Sequence, residues 1–280
     1  MSSNLLSRVI KVSVKGNNST TFTNDDLEIQ FEVPFDDDAK PNESLIEIYN
    51  LSDDSIHRMA RADTCTVQSG SKTDYGVLSI GKISRILTRR EGVDKITAIY
   101  SLEGEDFSRI KVTAKTADPA KKGKKQTLHI SFKAGTHAST IIKKLCSILG
   151  IKLALMKLPK DVVYKKGYNV TGQILNNLED VVKDCGAVMY HRRGSLFIRS
   201  LKEGNDESFT LNELTGLIGS PEPFEEDGVK GFKVKALLQH RITTASIITI
   251  KSKTANGKYR VRKGTHSFNG SEYLTEIEVI

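Results

Sequence analysis

The decisive stretch of this sequence is Leu27-Glu28-Ile29-Gln30-Phe31-Glu32-Val33, in which apolar and polar side chains alternate without a break. Successive side chains of an extended strand point to opposite faces. The four apolar residues therefore share one face, and Glu28, Gln30 and Glu32 share the other. This period of two predicts a strand with one face on a core.

The same alternation recurs through the N-terminal part of the sequence. It is found at Val9 to Val14, Leu45 to Tyr49, Val77 to Ile86 and Lys95 to Leu102. Five or six such strands are typical of a small barrel or sandwich. We expect a β-barrel domain over residues 1–113, with one short helix that is capped by Ser52 or Asp53 and carries Ile56 and Met59 inward.

The apolar pattern stops between Thr113 and Gln126, where Lys, Ala, Gly, Asp and Pro dominate and the basic run Lys121 to Lys125 lies. Such composition predicts a linker or exposed loop over residues 114–126.

A compact α+β module is then expected over residues 127–204. A strand at Leu128 to Phe132 opens it, and strands at Ile151 to Leu155, Ala187 to Tyr190 and Ser195 to Arg199 follow.

Two amphipathic helices are predicted inside this module. The first has apolar residues at helical spacing from Ile141 to Leu149, with Thr136 or Ser139 as its cap and Gly150 as its end. The second runs from a cap at Thr171 to Gly186, since glycine ends a helix in the left-handed conformation without strain. His191-Arg192-Arg193-Gly194 is expected to form a tight hairpin connection.

Residues 205–280 return to a strand pattern and predict a second β domain. Asn256-Gly257 and Asn269-Gly270 are dipeptides that favour type I′ hairpins, and Tyr273 to Ile280 reads as a terminal strand. The fold class expected from the whole sequence is β-rich α+β, in which two helices pack on strands between two β domains.

Composition excludes few functions. Apolar residues make up 38% of the 280, and the formal net charge of +8 permits, without selecting, nucleic acid, anionic glycans or an acidic protein as partner. No signal peptide and no apolar run of the ~20 residues that span a membrane are found. Cys65, Cys146 and Cys185 are widely spaced, and we expect them to be buried thiols.

The sequence holds no constellation typical of an enzyme or a cofactor site. The stretch Gly76 to Ile83 approaches a phosphate-binding loop but has Ile83 where Ser or Thr would be needed, and its residues alternate as a strand. The six histidines are scattered singly, without metal-ligand spacing. We therefore predict no catalytic residues, no metal and no cofactor.

Several motifs carry a resemblance to a known family. Pro41 to Ser52, with its strand ending in Tyr49-Asn50-Leu51-Ser52, resembles the N-terminal region of phage baseplate hub proteins. Further similar stretches follow in order: Ser131 to Thr136, Gly172 to Gly186, Thr215 to Pro221, Gly231 to Leu238 and Asn256 to Val261. The residues that match the family pattern are Ile48, Tyr49, Asn50, Leu51, Ser52, Gly135, Thr136, Gly186, Thr215, Gly216, Leu217, Pro221, Asn256, Gly257 and Tyr259.

The resemblance implies a non-enzymatic baseplate hub of a contractile phage tail or an R-type bacteriocin-like particle from a Gram-positive host. Its fold would be tail-tube-like β-barrels with an inserted α+β module. Three copies would form a ring that joins a six-fold tail tube to a three-fold spike.

The implied partners are itself, the tail tube protein, the central spike protein and other baseplate or tape-measure components. No membrane and no sequence-specific nucleic acid is implied, although a genome would pass through the lumen of a true phage. The protein would be made in the host cytoplasm and reside in the baseplate.

Two strand faces are candidates for the lumen or the subunit contacts: the face bearing Glu28, Gln30 and Glu32, and the face bearing Arg260 and Arg262. Three other functions stay open at this stage. One is a peptidoglycan-binding module at residues 128–200, another is a hydrolase using His137, Cys185 and Asp184, and the last is nucleic-acid binding through the basic run.

Overall fold

The computed structural model describes residues 8–104, 113–114, 126–127, 130–203, 208–226 and 228–280, with only the backbone at 113–114 and 126–127. The basic run Lys121 to Lys125 lies outside the described residues, as do Leu128 and His129 of the strand expected at Leu128 to Phe132. The division of the chain at 113, 126 and 204 stays a prediction.

Seven antiparallel strands form the first part of the main sheet. Phe31 and Val33 are buried and Glu32 between them is exposed, as the alternation predicts. The bounds are β1 (Arg8–Lys15), β2 (Ser19–Thr23), β3 (Ile29–Phe35), β4 (Glu43–Tyr49), α1 (Asp53–His57), β5 (Thr64–Ser71), β6 (Asp74–Glu91) and β7 (Asp94–Leu102). Their order is β3-β4-β7-β6-β5-β1-β2. Phe22 of β2 and Ile29 of β3 share one apolar core, so these strands roll around it. We call this unit the first roll.

The chain then passes through a short pair, β8 (Thr113–Ala114) and β9 (Gln126–Thr127), into a helical region. Helices α2 and α3 pack on each other and on a small sheet through a separate apolar core. The bounds are β10 (Ser131–Phe132), β11 (Thr136–His137), α2 (Ala138–Leu149), β12 (Leu153–Met156), β13 (Val163–Tyr164), β14 (Tyr168–Asn169), α3 (Ile174–Asp184), β15 (Val188–Arg192) and β16 (Ser195–Arg199), followed by a 3₁₀ turn (Leu201–Glu203). The two predicted amphipathic helices are confirmed.

A second roll is built from the C-terminal strands. These are β17 (Ser208–Leu211), a 3₁₀ turn (Glu213–Thr215), β18 (Leu217–Glu226), β19 (Val229–Leu237), β20 (Ile247–Lys251), β21 (Asn256–Phe268) and β22 (Tyr273–Val279). Their order is β17-β20-β21-β22-β19-β18. Leu211 at one end and Leu217 at the other lie in the same core.

The long strand β21 joins the two rolls, because its residues Gly264–Phe268 pair with Phe31–Phe35 of β3. The expectation of closed barrels is corrected by this arrangement. In the first roll the edge of β3 that would face β2 bonds to β21 instead. Among the described residues, no hydrogen-bonded pairing closes either roll.

Several predicted helix caps are wrong, although both glycine ends are confirmed. Gly150 (φ 75°) and Gly186 (φ 72°) follow α2 and α3 in the left-handed conformation. Neither Thr136 nor Ser139 caps α2, which begins after His137; the Ser139 amide instead donates to Asp161 Oδ1 at 2.8 Å. Gln173, not Thr171, precedes α3. At the start of α1, Ser52 caps as expected, since its hydroxyl accepts from the Ser55 amide.

The turn predictions had mixed outcomes. Arg193 and Gly194 both have positive φ, which confirms the tight connection between β15 and β16. Asn256 and Gly257 are not the turn centre, because they pair with Lys251 and Ile250 inside a ladder. At Asn269-Gly270 a longer turn forms, in which the Asn269 side chain accepts from two backbone amides.

Candidate assembly surface

Eight neighbouring strands of the main sheet, in the order β18-β19-β22-β21-β3-β4-β7-β6, turn one side away from the cores. On β22, for example, Ile277 and Val279 are buried while Glu276 is exposed. We call this outer side the ladder face. From β18 to β6 its charged residues include Glu222, Glu226, Lys233, Lys235, Glu276, Glu278, Lys263, Glu32, Glu43, Glu47, Asp94, Lys82, Arg85, Arg89 and Glu91.

Charges of opposite sign stand on nearby strands of the ladder face. Lys263 Nζ lies 3.2 Å from Glu278 Oε2, and at the other end Arg89 Nη1 lies 2.6 Å from Glu47 Oε1. The hydrogen bond to Glu47 raises the pKa of Arg89, which keeps the guanidinium charged. Exposed pairs contribute at most ~1 kcal/mol each. They therefore set the charge pattern of this face more than they stabilise the fold.

One end of the ladder face is a free strand edge on β6. Strand β5 pairs with β6 only as far as Lys82, and the backbone of Ile83 bonds to Ala62 and Asp63. From Arg85 to Glu91, β6 pairs with β7 alone among the described residues. Arg85, Leu87 and Arg89 project on the ladder face here, and Leu87 is 52% exposed.

The other end is a free edge on β18. Residues Glu222–Glu226 pair with Val229–Lys233 of β19 and, within the described part of the chain, with no strand on their other side. Closer to the start of β18 the edge is covered, since the Pro221 carbonyl accepts a hydrogen bond from the Thr254 hydroxyl. Glu222 stands opposite Lys233, so Glu222, Phe224 and Glu226 project on the ladder face.

The two free edges run in opposite directions. Every neighbouring pair among the eight strands is antiparallel, and eight is an even number. The first and last strands, β18 and β6, are therefore antiparallel to each other. If a second copy stood beside this one in the same orientation, its β18 would continue the alternation at β6.

Three solved structures share this architecture. The tail protein from Neisseria meningitidis MC58 superposes with a TM-score of 0.64 at 8% identity, covering 98% of this chain and 96% of that one. The 43 kDa tail protein of prophage MuSo2 from Shewanella oneidensis gives 0.63 at 9%, with 97% of each chain covered. The chain has a phage tail-protein fold.

The same fold extends to a secretion system. The E. coli c3393 protein, a type VI secretion component described as structurally similar to the T4 bacteriophage tail proteins gp27 and gp5, gives a TM-score of 0.65 at 9% identity, covering 96% of this chain and 76% of that one. No protein-family model and no curated protein matches the sequence. The Gram-positive origin stays a prediction.

Within this tail-protein fold, the motif Ile48 to Ser52 lies beside the tip of the β6–β7 hairpin, where β7 leaves the turn. Asn50 takes a left-handed conformation (φ 56°) and bonds the hairpin three times. Its amide donates to the Lys95 carbonyl at 2.7 Å, its side chain donates to Asp94 Oδ1 at 2.8 Å, and its side-chain oxygen accepts from the Lys95 amide at 3.0 Å. Ile48 and Leu51 are buried in the first core, and Tyr49 lies opposite Ile96. This motif fixes the hairpin that carries one free edge.

The motif Thr215 to Pro221 leads into the other free edge. Asn212 and Thr215 form a reciprocal capping box around the 3₁₀ turn before β18. Gly216 then adopts φ 103°, and Leu217 is buried in the apolar core of the second roll. Tyr259 packs edge-on against Phe232 in the same roll, with ring centroids 5.5 Å apart.

The remaining motif residues lie elsewhere. Gly135 (φ 83°) and Thr136 shape the turn before α2, where the Thr136 hydroxyl donates to the Lys133 carbonyl, and Gly186 ends α3. Asn256 and Gly257 lie at the start of β21. An assembly role for any of these residues stays a prediction. The side chains of the two free edges were not singled out from the sequence, although Arg-x-Leu-x-Arg at 85–89 and Glu-x-Phe-x-Glu at 222–226 are visible in it.

The structure separates the two proposed strand faces. Gln30 and Glu32 project on the ladder face, and the Gln30 side chain donates to Glu28 Oε1 at 2.8 Å. Arg260 donates to the Lys202 carbonyl and Arg262 lies 3.4 Å from Asp37 Oδ2. The two arginines are thus engaged in contacts within the chain.

The β15–β16 hairpin of the helical region packs against the first roll, where it contacts the buried carboxyl of Glu103. The Gly194 amide donates to Glu103 Oε1 at 3.0 Å, and His191 Nε2 bonds to the Ala39 carbonyl at 3.2 Å. Burial raises the pKa of Glu103 to about 7 and lowers that of His191. Both groups are 3% exposed or less.

The residues considered for a hydrolase are held in structural contacts. Cys185 is buried, and burial raises the pKa of its thiol, opposite to what a nucleophile requires. Asp184 accepts from the Tyr164 hydroxyl at 2.6 Å, and His137 lies 3.5 Å from Asp161. In the described ranges, no group of three His, Cys, Asp or Glu has the geometry of a metal site. No helix there has the length and apolar character needed to cross a membrane.

Proposed function

We propose that this protein is a structural baseplate hub subunit of a contractile injection tail. Three copies form a ring that joins the six-fold tail tube above to the three-fold spike below. The phage tail-protein fold supports this role, and so does the similarity of the c3393 protein to gp27 and gp5. The protein acts by assembly rather than by turnover, and it resides in the baseplate of a virion or of a tail-like particle.

One observation carries the proposal: the ladder face ends in two free strand edges of opposite direction. A free edge presents unpaired amides and carbonyls, which native proteins cover, block or pair. Because the two edges differ, contact between them is head-to-tail, and a head-to-tail interface closes into a ring when its rotation closes. Ring closure would pair both edges of every copy.

The ladder face would then form one continuous surface around the ring. Gln30 and Glu32, on the central strand β3, would lie on it, while Arg260 and Arg262 would not. We infer that this surface lines the lumen, because the rolled cores and the helical region lie behind it. In an infectious phage the genome would pass along it.

Light scattering on the purified protein tests the proposal, alone and with the neighbouring tube and spike proteins co-expressed. A mass of three times 31.0 kDa, or a stable complex with either partner, is the expected result. A monomer that forms no complex with either partner would overturn it. Pull-down with purified cell wall would then be the next measurement, because a peptidoglycan-binding module is the alternative.

A further inference from the structure

We infer that, in the proposed ring, β18 of one copy pairs with β6 of the next in one fixed register. Glu222 stands opposite Arg89, Phe224 opposite Leu87, and Glu226 opposite Arg85, all on the ladder face. This inference rests on the proposed function and adds to it the interface residues and their alignment.

The two free segments match in direction and side-chain pattern. The free edge of β6 runs from Arg85 to Glu91, and its first five residues, Arg85–Arg89, stand against the five residues Glu222–Glu226 of β18. When the two segments are aligned antiparallel, the basic-apolar-basic pattern of β6 stands opposite the acidic-apolar-acidic pattern of β18, on the same face of the sheet. Directly opposite side chains with opposite charge, or with apolar surface, are the pairs that stabilise a sheet.

The apolar pair accounts for an exposed side chain. Leu87 is 52% exposed although it lies in the middle of a strand. Phe224 is only partly buried at the other free edge. Pairing in the stated register would cover the two with each other.

The charged pairs extend ion pairs that already exist within the chain. Arg89 holds Glu47 at 2.6 Å, and Arg85 lies 3.5 Å from Glu43. Since a guanidinium has five N–H donors, each arginine can also bind a carboxylate from the neighbouring copy. Glu226 already lies 3.6 Å from Lys263 Nζ, so the alternation of charge would continue across the junction.

The register also agrees with barrel geometry. Paired residues on neighbouring strands form a row that crosses the sheet at right angles to the strands. The row that contains Arg85 of β6 ends at Leu237 of β19. Glu226 pairs with Val229, which lies eight residues from Leu237 along β19. The junction therefore displaces the row by eight residues for every eight strands.

That displacement fixes the tilt of the strands. Eight residues rise by roughly 26 Å and eight strands span roughly 38 Å. The strands would tilt by about 35° from the ring axis, which lies at the lower end of the ~35–45° found in closed barrels. A register shifted by two residues toward smaller displacement would give about 27°, outside that range, whereas a shift of two toward larger displacement would give about 41°, inside it. The charge and apolar pairing, not the tilt, therefore selects between the two registers inside that range.

Pro223 sets the hydrogen bonding at the junction. Because proline has no N–H to donate, a proline in an edge strand turns its nitrogen toward the free edge and away from the ladder. Pro223 can therefore accept from Thr88 of the neighbouring copy but cannot donate to it. Phe224 and Leu87 then occupy the adjacent non-hydrogen-bonded position, where opposite side chains approach most closely.

Disulfide cross-linking tests the register. In the full chain carrying Leu87→Cys and Phe224→Cys, mild oxidation is expected to link three copies into one covalent species. The native thiols of Cys65, Cys146 and Cys185 are buried and should react little. The matched control carries Leu87→Cys and Glu226→Cys, on the same face but two residues out of register, where the Cβ atoms are too far apart to bridge.

The expected yield of linked species is at least tenfold higher for the in-register pair than for the control. Equal yields, or a higher yield for the control, would overturn the register. A wild-type mass of three copies with no link from the Leu87 and Phe224 pair would also overturn it, while leaving the proposed function standing. A wild-type mass of one copy, alone and with both partners, would overturn both.

Discussion

The two ends of the ladder face are held by different means. The β6 end is a long hairpin that reaches past its neighbour β5 and is fixed near its tip by the three hydrogen bonds of Asn50. The β18 end begins at the Asn212–Thr215 capping box and is held at Pro221 by Thr254. One end is basic and the other acidic. The difference shows how a single chain can carry both halves of a head-to-tail contact.

Reversing the charges at one end should have the largest effect. Arg85→Glu with Arg89→Glu would place like charges opposite Glu226 and Glu222 of the neighbouring copy. We expect the dissociation constant of the ring to rise by about 100-fold or more, because like charges placed opposite each other across an interface cost several kcal/mol. Light scattering across a dilution series measures it. A matched control, Lys15→Glu with Lys152→Glu, changes the net charge equally at exposed positions away from both edges.

Adding Glu222→Arg and Glu226→Arg to the same chain should restore the ring. Mixing the two double variants instead should restore contacts between unlike chains but not a three-membered ring, because strict alternation needs an even number of subunits. If the quadruple variant stays dissociated, the charge pairing between the two ends is wrong.

The buried Glu103, which directly follows β7, should make stability depend on pH. Its folded pKa is raised to about 7 from an ordinary value of 4.5, with Arg193 and Asp36 as the nearby charges. The folded state therefore binds more protons, and stability should fall as pH rises from about 4.5 to 7 by an amount on the order of 3 kcal/mol. Above that range the effect levels off.

Comparison with Glu103→Gln isolates this effect from the histidines, whose lowered pKa values act in the opposite direction. Urea unfolding at pH 5 and pH 8 gives the free energies. The difference between wild type and variant should change by roughly 3 kcal/mol between the two pH values. A constant difference would show that Glu103 titrates normally in the folded protein.

Weakening the contacts at the tip of the β6–β7 hairpin should cost less. Asn50→Ala removes two side-chain hydrogen bonds and puts a Cβ without polar compensation into the left-handed conformation. We expect a loss of roughly 2–3 kcal/mol in unfolding free energy. Asn50→Gly accepts that conformation and should lose only ~1–2 kcal/mol. If both variants are equally stable, backbone conformation is not the reason for asparagine here.

The smallest effect should come from the cap at the β18 end. Asn212→Ala removes the side-chain acceptor for the Leu214 and Thr215 amides and should cost ~1 kcal/mol. Asn212→Asp keeps an acceptor and serves as the control. Thermal unfolding of both variants measures the loss, and an unchanged midpoint for the alanine variant would contradict the capping role.

Local patterns in the sequence determined the strands, the two amphipathic helices and both of their glycine ends. Residues 27–33 alternate because one face must be buried, and that requirement holds for any partner strand. The turn at Tyr49-Asn50-Leu51-Ser52 was likewise visible, since asparagine tolerates the left-handed conformation that the turn needs. The cap of α2 was missed because a group distant in sequence, Asp161, accepts from the Ser139 amide. At the start of α3 the bonds come from the Asn177 side chain inside the helix, which contacts the backbone of Thr171 and Gln173.

Only the tertiary structure decided which strands are neighbours. The pairing of β3 with β21 joins residues more than 200 positions apart, and it replaced the expected closed barrels with two open rolls on one sheet. Period-two alternation states which face of a strand is buried but not which strand lies beside it. The free edges at 85–89 and 222–226 exist because no strand of the described chain lies beside them there, and that follows from the pairing of all the others.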